Sequence, residues 1–174
     1  MDSQEWLAVT NGQALRFFFE HLRDVTEGGD TPRNELLYNA SVLAHFATTS
    51  TASVPQFPSC PSDLATVFEV FVLDKSQHTD PEILEAAAAQ CLLLTGFFEG
   101  QVRRRHNIKW YATLGAGFYD QAAQCTADRA RARMMLTMAV RFEFWRRQQS
   151  RLAKELRDLP HLLFKRPSID PSVH

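Results

Sequence analysis

The residues best equipped for chemistry lie close together in the chain: Glu99, Arg103, Arg104, Arg105, His106, Lys109, Trp110 and Tyr111. They combine cations, a titratable imidazole and aromatic rings at a helix–helix corner. Such a set can hold a phosphate, a carboxylate or a nucleotide through charge-assisted hydrogen bonds and ring stacking. The same residues also describe a solvated helix end with Trp110 and Tyr111 packed inward. A second basic surface, Arg141, Arg146, Arg147 and Arg151, is interleaved with Phe144 and Trp145. That composition suits nucleic acid, and a plain amphipathic helix explains it equally well.

Other chemistries find less support. Metal sites in helical bundles need Glu and His at inward-facing positions, often as Glu-x-x-His, and no such pair occurs. Glu20 and His21 are adjacent, so they point about 100° apart on a helix of 3.6 residues per turn. His45 falls on the border of a core face, the place of a satisfied or half-exposed histidine. Cys91 has no charged neighbour to lower its pKa, so it reads as inert core. No GxSxG, P-loop or dinucleotide fingerprint occurs. Glu69 in VFEVF and Glu143 in RFEFW sit between large apolar residues. A carboxylate drawn to a core edge needs a partner, which points to inter-helix ion pairs with the arginine-rich second half. No catalytic residue, cofactor or metal is expected.

The element that must position the corner is Ile83 to Phe98, ILEAAAAQCLLLTGFF, apolar on nearly every helical face. A helix of that kind belongs in the middle of a bundle. It starts at Thr79 as cap, with Pro at the first helical position and Glu82 three residues on. The change to EGQVRRRHN after Phe98 marks its end, at Gly100 or at His106-Asn107. The three arginines there complement a helix C-terminus.

Its neighbours read as helices too. Thr10-Asn-Gly-Gln13 has capping-box form and opens a helix to about Glu27, with Leu15, Phe18, Leu22 and Val25 inward. Thr31-Pro32 opens the next, with Leu36, Leu37, Ala40, Leu43, Ala44 and Ala47 inward. Thr48 to Pro61 reads as a Ser/Thr/Pro-rich loop, followed by a helix carrying Leu64, Val67, Phe68, Phe71 and Val72. A further helix covers Ile108 to Gln124, with Tyr111, Leu114, Phe118, Ala122 and Cys125 as one stripe. Gly115 and Gly117 inside it cost about 1 kcal/mol each relative to Ala, which implies a close crossing or a kink. The last helix starts near Ala127 or Asp128 and runs to Asp158. Its Met135, Met138, Phe142, Trp145, Gln149, Leu152, Leu156 and Leu159 form a heptad seam with one Gln at a core position. Either this helix lies along the whole bundle or its distal part pairs with another copy.

Charge is split along the chain. Residues 1–99 carry four bases against fourteen acids, and residues 100–174 carry fifteen bases against six acids. Acidic helices lying beside basic ones would account for this, as would a basic binding surface. Three cysteines, Cys60, Cys91 and Cys125, cannot all pair within one chain. No signal peptide is expected, since MDSQEWLAVT has no basic stretch followed by an apolar one, and the apolar run is short of the roughly 20 residues of a membrane span. A reducing cytoplasm is the expected setting.

The segments LLLTGFFEG, RRRHN and KWYATLGAGFYDQAA resemble a family of uncharacterised bacterial helical proteins. The matching positions are Leu94, Gly96, Phe97, Phe98, Arg104, Tyr111, Leu114, Gly115 and Tyr119, with Trp110 where a second Tyr is expected. The resemblance spans about residues 35–125. It implies a bacterial cytoplasmic origin and no particular activity.

These observations predict one all-α domain over 1–165, a bundle of five to six main helices around a central apolar helix, with 166–174 as a flexible tail. The expected function is a non-enzymatic interaction or scaffold protein that self-associates, as a homodimer or with another protein, through the last helix or an exposed aromatic face. The alternatives are a small-molecule or anion-binding protein using the 99–111 corner, and a nucleic-acid binder using the basic half. No membrane partner is expected.

Overall fold

The computed structural model of the protein describes residues 3–26, 30–51 and 80–158, with side chains over 12–26, 30–47 and 80–157. Within them are seven helices and no strand: α1 (Ser3–Val25), α2 (Arg33–Thr51), α3 (Pro81–Thr95), α4 (Glu99–Val102), α5 (Ile108–Cys125), α6 (Arg129–Val140) and α7 (Phe142–Asp158). The protein is all-α, and its helices pack around one main core. Six are long and α4 is a single turn, in line with the expected five to six main helices.

The apolar run forms α3 and supplies the densest part of the core. Leu84, Ala87, Ala88 and every residue from Cys91 to Thr95 are buried. Its main neighbour is α5, with α7 also against it, while α1 packs chiefly on α2. The outward side of α3 is not fully covered: Ala86 is exposed and Ala89 half-buried. The start signal is shifted by one residue from the expected one. Asp80, not Thr79, is the N-cap, accepting from the Glu82 amide at 2.9 Å, with Pro81 at the first helical position. An aspartate fills this role at least as well as a threonine.

α3 stops at Thr95 rather than running to Phe98. Gly96 explains both the stop and its sharpness. A β-carbon there would lie 2.7 Å from the Leu92 carbonyl, 3.0 Å from the Arg146 carbonyl and 3.2 Å from Gln149 Cβ. Only glycine lets α7 come this close. Asn107 does not end a helix, as expected, but begins one: its side chain caps α5 by accepting from the Trp110 amide at 3.2 Å.

The crossing expected at the two glycines of α5 occurs at one of them. A β-carbon on Gly115 would lie 2.6 Å from Cys91 Cβ and 2.7 Å from Phe142 Cζ, whereas one on Gly117 would meet nothing within 4 Å. Gly115 is therefore where α3, α5 and α7 converge. The buried face of α5 is Ala112, Gly115, Phe118, Tyr119 and Ala122. Cys125, expected on the buried stripe, is exposed, because that stripe is rotated toward Tyr119.

Three further expectations are corrected. α1 runs through Thr10 without a cap there, since it already starts at Ser3. Leu37 is exposed while Asn39, two residues on and on the opposite side of the helix, is buried. The last helix breaks at Arg141, separating α6 from α7. The heptad seam nevertheless continues across the break. Met135, Met138, Phe142, Trp145, Gln149, Leu152 and Leu156 are all buried against this same chain, so these residues are spent inside the bundle and are not free to zip a second copy. The start of α6 is as expected, with Asp128 accepting from the Ala130 amide at 2.9 Å.

The loop beyond Thr51, the helix expected at 62–72, Cys60, Glu69, Leu159 and the tail from Arg166 lie outside the described side chains.

Candidate anion-binding groove

Three of the ion pairs among the described residues join distant parts of the chain, and each takes an acid from the first half and a base from the second. They are Glu35 with Arg141 at 2.9 Å, Glu85 with Arg131, and Glu99 with Arg146 at 3.3 Å. The split of charge along the sequence is thus partly a packing device: acidic α2, α3 and α4 lie against basic α6 and α7.

The pair at Glu35 is the deepest. Its carboxylate is 5% exposed and accepts from Trp145 Nε1 at 2.8 Å while facing the Arg141 guanidinium. One turn along, Asn39 accepts at Oδ1 from Gln149 Nε2 at 3.2 Å and donates to the Glu35 carbonyl at 3.0 Å. The single Gln in the heptad seam thus has a buried amide as its partner. Its Oε1 has no hydrogen-bond partner among the described residues.

At the Glu85–Arg131 pair between α3 and α6, Tyr38 of α2 donates to Glu85 at 3.0 Å and lies 3.2 Å from the Tyr119 hydroxyl. Burial pushes the Tyr38 phenol well above its ordinary pKa, and the Glu85 carboxylate and Tyr119 add to this. Burial raises Tyr119 as well. Neither phenol is set up to ionise as a base. Tyr38, Glu85, Arg131 and exposed His45 line a groove of about 660 Å³.

The third pair belongs to a charged groove of about 630 Å³ between α5 and α7, closed at one end by α4. Glu99, Arg103, Lys109, Thr113, Glu143, Arg146 and Arg147 line it, over an apolar floor that includes Ala112, Ala116 and Phe142. Arg146 is the fixed element. It grips Glu143 with two nitrogens, at 2.9 and 2.6 Å, and aims the third at the Thr95 carbonyl, 3.1 Å away, and at Glu99. Glu99 also pairs with Arg103 and accepts from the Ser150 hydroxyl at 2.6 Å. Burial would raise the Glu99 carboxyl, but the Ser150 hydrogen bond and the two guanidiniums outweigh it and hold its pKa below the ordinary value. Glu143 is likewise held low, by Arg146 first and then Arg147, against some desolvation.

Glu143 is not the inter-helix partner that its apolar flanks suggested. Its side chain is half-exposed and pairs within its own helix, with Arg146 and Arg147. Phe142 and Phe144 flank it in sequence but point to other sides of the helix, which is why the flanks mislead.

Of the eight residues expected to form a site, Glu99, Arg103 and Lys109 line the groove. Arg104 and Arg105 are exposed in the turn before α5 and do not. Tyr111 joins Phe98 and Ile108 around Leu94 and Val102 as a small second core. His106 and Trp110 meet the Tyr111 ring edge-on, at 5.7 and 4.7 Å between centroids. Trp110 itself is 42% exposed. Thr113, Arg146 and Arg147 complete the groove from outside that stretch. The two arginines belong to the second basic surface; what the sequence does not reveal is that the two surfaces face each other.

Among the described residues no group of three or more His, Cys, Asp or Glu could hold a metal ion, and no helix is long and apolar enough to cross a membrane. Compared with protein families, with curated proteins and with solved structures, the chain matches none. Any functional reading therefore starts from the groove.

Proposed function

We propose that this is a helical binding protein whose α5–α7 groove takes an anionic small molecule with an apolar body. One observation carries the proposal: the groove holds four cationic side chains against two carboxylates, and Lys109 has no carboxylate partner among the described residues. Arg146 is pre-organised by its own bonds, so a ligand would not have to order it. Lys109 is free to close on a phosphate or carboxylate, exposed Arg147 can turn to it from its pair with Glu143, and the Phe142 floor accepts an apolar ring or chain. The volume is within the range of small-molecule sites.

The test is calorimetry with phenyl phosphate and inorganic phosphate at low salt, on the protein and on a Lys109→Ala/Arg147→Ala variant. Phenyl phosphate should bind more tightly than phosphate, weaken as salt screens the charges, and be lost in the variant without a fall in thermal stability. Binding that survives the double substitution would refute the assignment.

A second reading has its own observation. Leu136 and Val140, four residues apart on the outer side of α6, are 49% and 80% exposed. An exposed apolar pair of this kind suits self-association. Sedimentation at increasing concentration, with and without Val140→Glu, tests it; a monomer throughout would remove it.

A further inference from the structure

α4 contributes to a second groove besides the charged one. Gly100 and Gln101 line a slot of about 330 Å³ with Phe18 of α1, Leu43, Phe46 and Ala47 of α2, and Phe97 and Phe98 of the preceding turn; Arg157 of α7 stands at its mouth. The rings are ordered against one another: Phe98 meets Phe46 and Phe97 edge-on, each at 5.1 Å between centroids. Apart from Gln101 and Arg157 the walls are apolar, and no carboxylate lines the slot.

Arg157 is held in place without being neutralised. Its Nε donates to the Ala153 carbonyl at 3.3 Å. Its terminal nitrogens lie 3.5 and 3.8 Å from where a β-carbon on Gly100 would sit. The guanidinium therefore lies over Gly100 at ordinary van der Waals distance. Among the described residues no carboxylate pairs with it. An aromatic slot with an unspent, oriented guanidinium at one end is complementary to a molecule that is apolar along its length and anionic at one tip.

We infer that this slot binds an anionic amphiphile of medium chain length, a fatty carboxylate, with its head on Arg157 and its chain among Phe18, Phe46 and Phe98. The small volume sets the length: it is near the lower limit for ligand pockets, so a single short chain fits and a two-chain lipid does not. This site is independent of the α5–α7 groove, and either can fail without the other.

The experiment is a calorimetric series of hexanoate, octanoate and decanoate, with decanol as the uncharged comparator. Each added methylene should tighten binding by about fourfold until the slot is full. Decanoate should bind about tenfold more tightly than decanol, and Arg157→Gln should erase that preference while leaving decanol binding unchanged. Ala47→Phe fills the slot from the α2 side and should abolish both, with circular dichroism confirming that the helices are retained. If Ala47→Phe does not fold, competition by decanoate for a fluorescent fatty-acid probe on the unaltered protein reads the same occupancy. No binding of decanoate, affinity independent of chain length, or unchanged selectivity in Arg157→Gln would each overturn the assignment. A signal that grows with protein concentration and not with decanoate would mean that a second copy fills the slot, and would overturn it as well.

Discussion

Gly115 and Gly117 offer the same substitution, two residues apart in one helix, in opposite surroundings. Alanine at either position gains about 1 kcal/mol of helix propensity over glycine. At Gly117 nothing stands within 4 Å of the new methyl, so Gly117→Ala should be more stable by about that amount. At Gly115 the methyl would lie 2.6 Å from Cys91 Cβ and 2.7 Å from Phe142 Cζ. Carbon atoms rest at about 3.5–4.0 Å, so α3 and α7 would both have to retreat by about 1 Å. Over-packing of this kind costs about 1–3 kcal/mol. Because the propensity gain is common to both, the difference between the two variants isolates the packing cost. Urea denaturation followed by circular dichroism measures it, provided the slope m is unchanged. The penalty should shrink in a Phe142→Leu background, where the ring edge is gone. If Gly115→Ala and Gly117→Ala proved equally stable, the convergence of three helices at Gly115 would be refuted.

Removing the deepest ion pair should hurt where removing a surface pair does not. Glu35→Ala strands the Trp145 indole and the Arg141 guanidinium and should cost about 3 kcal/mol, whereas Glu20→Ala, which breaks an exposed pair with Arg16, should cost less than about 1 kcal/mol; denaturation midpoints decide. Glu99 and Glu143 are held below the ordinary 4.5 in the folded state. Their contribution is therefore complete above the unfolded value and is lost as pH falls through the folded one. Stability should be flat near neutrality and decline on acidification past 4.5, and Glu99→Gln should flatten that decline; a parallel curve for the variant would refute it. Burial pushes the Cys91 thiol up to about 12, so in a Cys60→Ser background a thiol reagent at mild alkaline pH should label exposed Cys125 at once and Cys91 only after denaturation. Tyr38→Phe removes the donor to Glu85 and the neighbour of the buried Tyr119 hydroxyl, and should cost about 1–3 kcal/mol in a thermal or urea melt.

Elements with strong local signals were legible before any coordinates. The apolar run around Leu84 and Leu92 had to be buried, and the seam from Met135 to Leu156 spaced itself along one helix face. Gly115 could be flagged because glycine inside a helix is costly unless something comes close. What could not be read depends on pairing across space. Glu35 and Asn39 look like ordinary polar positions in RNELLYNA until Trp145 and Gln149, over a hundred residues later, come to face them. Leu37 looks like core because its neighbours are, but burying Asn39 with its partners turns Leu37 outward. Periodicity identifies a face without saying which polar residue has found a match on the opposite helix.

The candidate site has the same structure of legible parts and an illegible junction. Both basic clusters stand out in the sequence, yet what gives Arg146 its role is Gly96, fifty residues earlier. Without a β-carbon at Gly96, the α7 backbone approaches the end of α3, and Arg146 can then reach the Thr95 carbonyl and Glu99 together. Arg131, Arg141 and Arg146 are taken up by Glu85, Glu35 and Glu99, while Lys109 and Arg157 are left without carboxylate partners among the described residues, each at the edge of a separate groove. Exposed Arg104 and Arg105 also have no carboxylate partner among the described residues, but neither lines a groove, as Lys109 and Arg157 do. That separation is the physical reason to look for ligands at the two grooves and not at the buried pairs.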